Sequence, residues 1–306
     1  MITVTESPRF TTGGIAASVP SGLHGAYTYQ HARDMYGGDL RSAVDQGRLV
    51  GFGRGVLLDA HRARDLRTRG AGALLLAGPD SVITGPTAAA LFGCTAAGGF
   101  PIHVLVPYDR RVRSRQGLVV HQGPLRDDDI VLLDGLRVLC LESAITDILC
   151  GSARRNALAC ADQALGPLPP EARNLFRAEV ARRLARRRDQ RGTKQAADLL
   201  ALATGRPESP GQSGLLLTIV DGRFPVPVCQ YELDGPPDEP RHVLDFAWPG
   251  ARIAVEYTPE QDRRAELRRR GWRVIHAGPD DLRDPTGLFI RLRAAFTAIR
   301  EPEWAW

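Results

Sequence analysis

Lysine is almost missing from this chain of 306 residues: Lys194 is the only one among 40 basic residues, the others being arginine. The formal net charge is +5 and the isoelectric point near 9.2, a balance that suits an anionic partner such as nucleic acid. Arginine in place of lysine, beside abundant alanine and glycine, is also what genomic codon bias produces, so the surplus alone identifies no phosphate contact. The five cysteines, Cys94, Cys140, Cys150, Cys160 and Cys229, form no CxxC pair and are odd in number. That argues against a disulfide framework and a structural zinc site, and reads as buried thiols in a reducing cytoplasm. No run approaches the ~18 apolar residues of a membrane span. The N-terminus carries no basic-then-apolar signal pattern. The expectation is a soluble, cytoplasmic protein without a membrane partner.

Two modules fit this length. Residues 1–24, rich in Gly, Ser, Thr and Pro, read as a mobile leader. Residues 25–150 open on a pattern for a winged helix-turn-helix. Tyr29 to Met35 forms a short helix, Tyr36 to Asp39 a turn, and Leu40 to Gln46 a second helix, with Leu40, Ala43 and Val44 at helical spacing. Asp39 suits the N-cap and Gly47 the stop. Arg48 to Leu58 then reads as two strands around a glycine-rich tip, the wing. A second helix of this kind enters the major groove while the wing meets the backbone or the minor groove. Arg41 and Ser42 on the helix and Arg48 and Arg54 on the wing are therefore the candidate contacts to double-stranded DNA, against which Asp45 works.

The continuation runs through a helix start at Val82 to Gly93 and strands at Ile102 to Pro107, Gly117 to His121 and Gly135 to Leu139. With Gly47-Arg48-Leu49-Val50, Arg54-Gly55-Val56, Thr87-Ala88-Ala89-Ala90-Leu91 and His121, this succession resembles the abortive-infection antitoxin family of the AbiEi type. The resemblance covers about Gly25 to Leu149 and implies a bacterial winged-helix regulator that binds DNA. His103 and His121 read as strand residues with local hydrogen bonds.

In residues 208–306 two carboxylates stand out. Asp245 and Glu256 are eleven positions apart, on short strands joined by Trp248-Pro249-Gly250. A hairpin of that length brings both to one edge, where they could hold a hard divalent cation. Ser209-Pro210-Gly211-Gln212-Ser213 opens a helix before them, and Gly271-Trp272-Arg273-Val274-Ile275 and Asp280-Asp281-Leu282 follow. In that order these segments resemble the very-short-patch-repair-like branch of the restriction-endonuclease superfamily, the PD-(D/E)XK fold. The resemblance implies Mg²⁺ held by acidic groups and a third group that activates water. Relatives carry Glu where Gln212 stands, and Asp-Gly with a nearby His where Thr258-Pro259 follows. Gln212 is neutral and Thr258 is neither base nor cation near neutral pH, so both are degenerate positions. Glu208, one helical turn before Gln212, is the candidate substitute ligand. Asp245 and Glu256 stand open between a vestigial metal site and ordinary strand-end carboxylates.

Residues 151–207 read as a helical connector: Glu142 to Leu165 as one or two helices, then Glu171 to Leu202. An apolar stripe of Leu175, Phe176, Val180 and Leu184 opposes arginines that either track phosphates or face solvent. The resulting expectation is an α+β two-module protein, a winged helix with a small αβ region followed by an endonuclease-like αβ domain. It binds DNA as a regulator or antitoxin-like protein without efficient cleavage, and requires no cofactor. The alternatives are a Mg²⁺-dependent DNA endonuclease and an antitoxin that captures a cognate toxin through its C-terminal domain. A homodimer stays open.

Overall fold

The computed structural model describes residues 18–233, 242–257 and 263–300, of which the side chains of 263–265 and 299–300 are not described. The chain is mixed α and β, with three sheets among the described residues. It divides into two compact units, Met1–Gly151 with Leu175–Thr193, and Ser152–Asn174 with Lys194–Trp306. The residues expected as a connector thus contribute to both.

The described residues of the first unit begin within the segment expected as a leader. Val19 is buried, and after it a 3-10 turn, Leu23–Gly25, carries His24, whose Nε2 meets the Asp134 carbonyl at 2.8 Å. Strand β1 (Ala26–Thr28) leads into α1 (Tyr29–Tyr36), where Thr28 Oγ1 accepts from the His31 N–H. Helix α2 (Leu40–Asp45) follows a 3-10 turn, Gly37–Asp39. Asp39, expected as its cap, makes no capping bond: its backbone is already helical (φ −85°, ψ −1°), whereas an N-cap needs the extended conformation to reach back. Gly47, at φ 69°, ends the helix as expected. Strands β2 (Leu49–Gly53) and β3 (Val56–Asp59) form a hairpin, and the sheet order is β1-β3-β2, all antiparallel. Ala32, Leu40, Ala43 and Leu49 form the small core beneath it.

Helix α3 (Leu66–Ala77), which the apolar periodicity does not single out, is capped by Asp65 and buried along most of its length. Its glycines permit close packing: a Cβ at Gly72 would stand 2.9 Å from Leu58 and one at Gly70 2.9 Å from Ile83. Beyond it lie β4 (Val82–Ile83), α4 (Gly85–Leu91), β5 (Ile102–Val106), β6 (Leu118–Gln122), β7 (Ile130–Leu133) and β8 (Leu136–Leu139), in a five-stranded sheet ordered β6-β5-β4-β8-β7. Strand β5 buries Ile102, Val104 and Val106 in alternation, as a strand with one covered face should.

Helices α5 (Leu141–Gly151), α6 (Arg154–Leu165), α7 (Pro170–Arg186) and α8 (Thr193–Leu202) come next. On α7 Phe176, Val180 and Leu184 are buried, but Leu175, expected in the same stripe, is 73% exposed. The buried three recur every fourth residue, and Leu175 falls off that face.

In the second unit α9 (Pro210–Asp221) starts at Ser209, whose Oγ accepts from the Gln212 N–H at 3.2 Å. A four-stranded sheet follows: β9 (Val228–Leu233), β10 (His242–Trp248), β11 (Ile253–Tyr257) and β12 (Arg273–Ala277), ordered β12-β11-β10-β9. The first three run antiparallel, and α10 (Arg263–Arg269) carries the crossover to parallel β12. After the short α11 (Pro279–Arg283), Leu288 and Leu292 of α12 (Thr286–Arg300) cover one face together with Leu215, Leu216 and Ile219 of α9. Leu267 of α10 and Trp272 cover the other. No helix among the described residues is long and apolar enough to cross a membrane.

Candidate functional site

Asp245 and Glu256 do come together. The β10–β11 register pairs Phe246 with Val255, and one step further Asp245 stands opposite Glu256. The pleat breaks there. Leu244 and Phe246, two residues apart, belong to core clusters on opposite faces of the sheet, and Gln230, which the β9 register sets opposite Asp245, has φ 51°. Where the ladder lapses, side chains replace it. Asp245 Oδ2 accepts from the Tyr257 N–H at 2.8 Å, and Glu256 Oε1 lies 3.4 Å from the Asp245 nitrogen. Glu256 is buried.

Gln212 closes this cluster from α9. Its Nε2 donates to Asp245 Oδ1 at 3.0 Å, and its Oε1 accepts from the Glu208 backbone N–H at 2.6 Å. The two partners fix the amide: turned over, it would set N–H against N–H. Gln230 Nε2 adds a longer donation to Asp245 Oδ1 at 3.4 Å. Next to Gln212, a Cβ on Gly211 would stand 2.5 Å from the Tyr257 ring, so only glycine lets helix and strand approach this closely. Three N–H groups therefore point at Asp245, and the side chain at 212 presents a donor where a cation requires an oxygen. These residues do not fit a hard divalent cation. Glu208 is exposed and joins through its backbone; among the described residues no three His, Cys, Asp or Glu side chains converge on a common point for a metal. Thr258 lies outside the described residues. Gln230 is the member that the sequence does not announce, because it sits on a strand without a clean apolar pattern.

The expected DNA contacts gather on the first unit. Arg41, on α2, is 94% exposed and lies 3.9 Å from Asp45 one turn on. The Ser42 hydroxyl accepts from Gln46 Nε2 at 2.8 Å. Arg48, at the foot of β2, lies over the Tyr36 ring at 5.8 Å. Arg54 is exposed at the hairpin tip, where Gly55 holds φ 79° and its carbonyl accepts from the Tyr29 N–H at 2.8 Å. The tip is thereby tied to the start of α1.

Other groups have local partners. His103 Nδ1 and His121 Nε2, on paired strands, are 2.9 Å apart, their rings stacked at 5.2 Å. Of the α7 arginines, Arg183 reaches Asp129 at 2.7 Å and the Ser143 hydroxyl at 2.5 Å, and Arg173 donates to the Leu165, Gly166 and Leu168 carbonyls past the end of α6. Arg187 pairs with Asp147 at 2.6 Å. These three act within the fold rather than as a solvated or phosphate-tracking face. Burial pushes the Cys94 and Cys229 thiols up to about 12, as expected of inert core cysteines.

No protein-family model matches the chain. It is 31% identical over 262 residues to the uncharacterized protein MT2308 of Mycobacterium tuberculosis (strain CDC 1551 / Oshkosh), covering 81% of this chain and 93% of that protein. The uncharacterized protein Rv2248 of Mycobacterium tuberculosis (strain ATCC 25618 / H37Rv) matches with the same identity and coverage. The chain belongs to the family of these two proteins.

Proposed function

We propose that this member of the family is a DNA-binding protein of regulatory or antitoxin-like kind, with a winged helix-turn-helix in its first unit and a nuclease-like second unit that does not cleave efficiently. The observation that carries the reading is the succession α1, α2 and hairpin β2–β3, with Arg41, Arg48 and Arg54 all directed to solvent. In that motif the second helix reads base edges in the major groove and the hairpin holds backbone. The Arg41–Asp45 pair is too exposed to compete strongly with a phosphate or a guanine edge.

The test is anisotropy with labelled duplexes over a salt series, using the full chain. Affinity falls steeply with salt, by about 0.9 in the log–log slope for each phosphate neutralised. Charge reversal at Arg48 and Arg54 weakens binding to every sequence, while Arg41→Ala changes the preference among sequences. Binding indifferent to all three substitutions removes this surface from the reading.

One observation favours an endonuclease instead, namely that Asp245 and Glu256 stand side by side. Against it, the donor that Gln212 supplies leaves a cation underliganded, and each lost electrostatic contribution costs on the order of a hundredfold in rate. The expected outcome with plasmid and Mg²⁺ or Mn²⁺ is no cleavage. Nicking by wild type that vanishes in both Asp245→Ala and Glu256→Ala would reverse the order of the two readings.

A further inference from the structure

Arg69, on α3, lies over two aromatic rings. Its guanidinium carbon lies 5.3 Å from the Phe52 centroid and 4.5 Å from that of Phe100. The side chain has no carboxylate partner among the described residues: Nη1 makes one long bond, 3.5 Å, to the Ala63 carbonyl, and the buried Nε has no partner. Burial alone pulls the Arg69 pKa below the usual arginine value, as it does for a cation without a counter-charge. Phe100 is itself 55% exposed, an aromatic ring left in water above a cation.

The site continues in two directions. Towards the 111–115 loop, Arg69 Nη2 lies 3.0 Å from where a Cβ on Gly117 would stand. Towards the hairpin, Arg115 Nη1 lies 3.5 Å from where a Cβ on Gly53 would stand, one residue from Arg54. The loop is pinned onto β6: Arg115 and Leu118 exchange backbone bonds of 2.9 and 3.0 Å, and the Ser114 hydroxyl accepts from the Val120 N–H at 2.9 Å. Arg111, Arg113 and Arg115 are exposed, without a carboxylate pair among the described residues, whereas neighbouring Arg110 is taken by Asp80. Asp109 is the one carboxylate within the loop that carries these arginines.

We infer that Arg69, Arg115 and the arginines of the 111–115 loop form a second strip of phosphate contacts, which continues the hairpin surface at Arg54 along the backbone of the same DNA duplex. The inference rests on the DNA-binding reading. Two rings fix the plane of the Arg69 guanidinium and strip part of its hydration, so a phosphate meets a fork already oriented. The pinned loop adds charges that need no ordering on contact. Such contacts carry no sequence information; they add affinity and salt dependence.

The experiment is the salt series on the full chain with Arg69→Gln, Arg69→Lys and Arg115→Gln, each checked by thermal melting. Arg69→Gln and Arg115→Gln are expected to weaken binding to all duplexes several-fold and to lower the log–log salt slope by about one each. Arg69→Lys keeps the slope of wild type while losing part of the affinity, because the charge stays and the stacked plane is lost. Arg115 is exposed, so its substitution reads binding without disturbing the core. Wild-type affinity and slope in Arg115→Gln, with Arg69→Gln weakened only in step with a lowered melting temperature, make Arg69 a packing residue and overturn the strip. Unchanged binding by both glutamine variants, beside loss on charge reversal at Arg48 and Arg54, overturns the strip and leaves the DNA reading intact. A wild-type chain that binds no duplex at low salt rejects the reading and the strip together.

Discussion

A neutral amide at position 212 decides what its two acidic neighbours can do. Gln212 donates to Asp245 and accepts from Glu208, so it links helix to strand where the resemblance implies a metal-binding Glu. Gln212→Glu replaces the donor with a third carboxylate beside Asp245 and Glu256. We expect it to lower stability by about 1–3 kcal/mol, the cost of an unpaired buried group. Millimolar Mg²⁺ or Ca²⁺ should restore part of the melting temperature in the variant and leave wild type unchanged. A variant that melts like wild type without added cation would show that Gln212 holds nothing together.

His103 makes a second residue-level prediction. Burial, with His121 beside it, lowers the His103 pKa below the usual histidine value. The unfolded chain therefore takes up this proton at higher pH than the folded one. The stabilisation is present above the unfolded value of about 6.5 and is lost as the pH falls from there through the folded pKa. The decline in melting temperature from about pH 8 to about pH 5 should be shallower in His103→Gln than in wild type.

At the scale of elements, one buried carboxylate joins two helices and a loop. Asp162 of α6 is 1% exposed; it accepts from the Ser213 hydroxyl of α9 at 2.8 Å and from the Thr204 and Gly205 N–H groups at 2.9 Å each. Asp162→Ala leaves those donors without it, so an unfolding free energy lower by about 3 kcal/mol or more is expected in urea. Gly205 is equally constrained: at φ 67°, an added Cβ would stand 2.6 Å from that of Leu165. Backbone strain and contact together should make Gly205→Ala cost on the order of 2 kcal/mol, measured in the same way. A loss below about 0.5 kcal/mol would mean that the turn relaxes freely.

For the whole molecule, the first unit is discontinuous along the chain. Leu175–Thr193 belongs with Met1–Gly151, and through Arg183 and Arg187 it bonds Asp129, Ser143 and Asp147. A fragment of residues 25–150 lacks Arg183 and Arg187, and also Val19. It should melt at lower temperature than a fragment of residues 18–193, as followed by circular dichroism. Equal melting would show that α7 adds nothing to the first unit.

Local features were legible in the sequence because their causes are local. The Ser209 cap, the stop at Gly47, the hairpin around Gly55 and the alternation of Ile102, Val104 and Val106 each follow from a few neighbouring residues. The approach of Glu256 to Asp245 was also readable, since a short turn between two strands sets which residues come near each other. Asp39 shows where such rules end: a good capping residue fails when the preceding turn runs on in helical conformation. Nor did any local pattern announce α3, whose apolar residues lie all round because it is covered on more than one side. The tertiary structure alone decided that the pleat breaks at Asp245, that Gln230 and Gln212 turn their amides towards it, and that Phe52 and Phe100 close on Arg69. These meetings join residues from separate strands, helices and loops, and their geometry depends on register and packing that no short stretch of the chain contains.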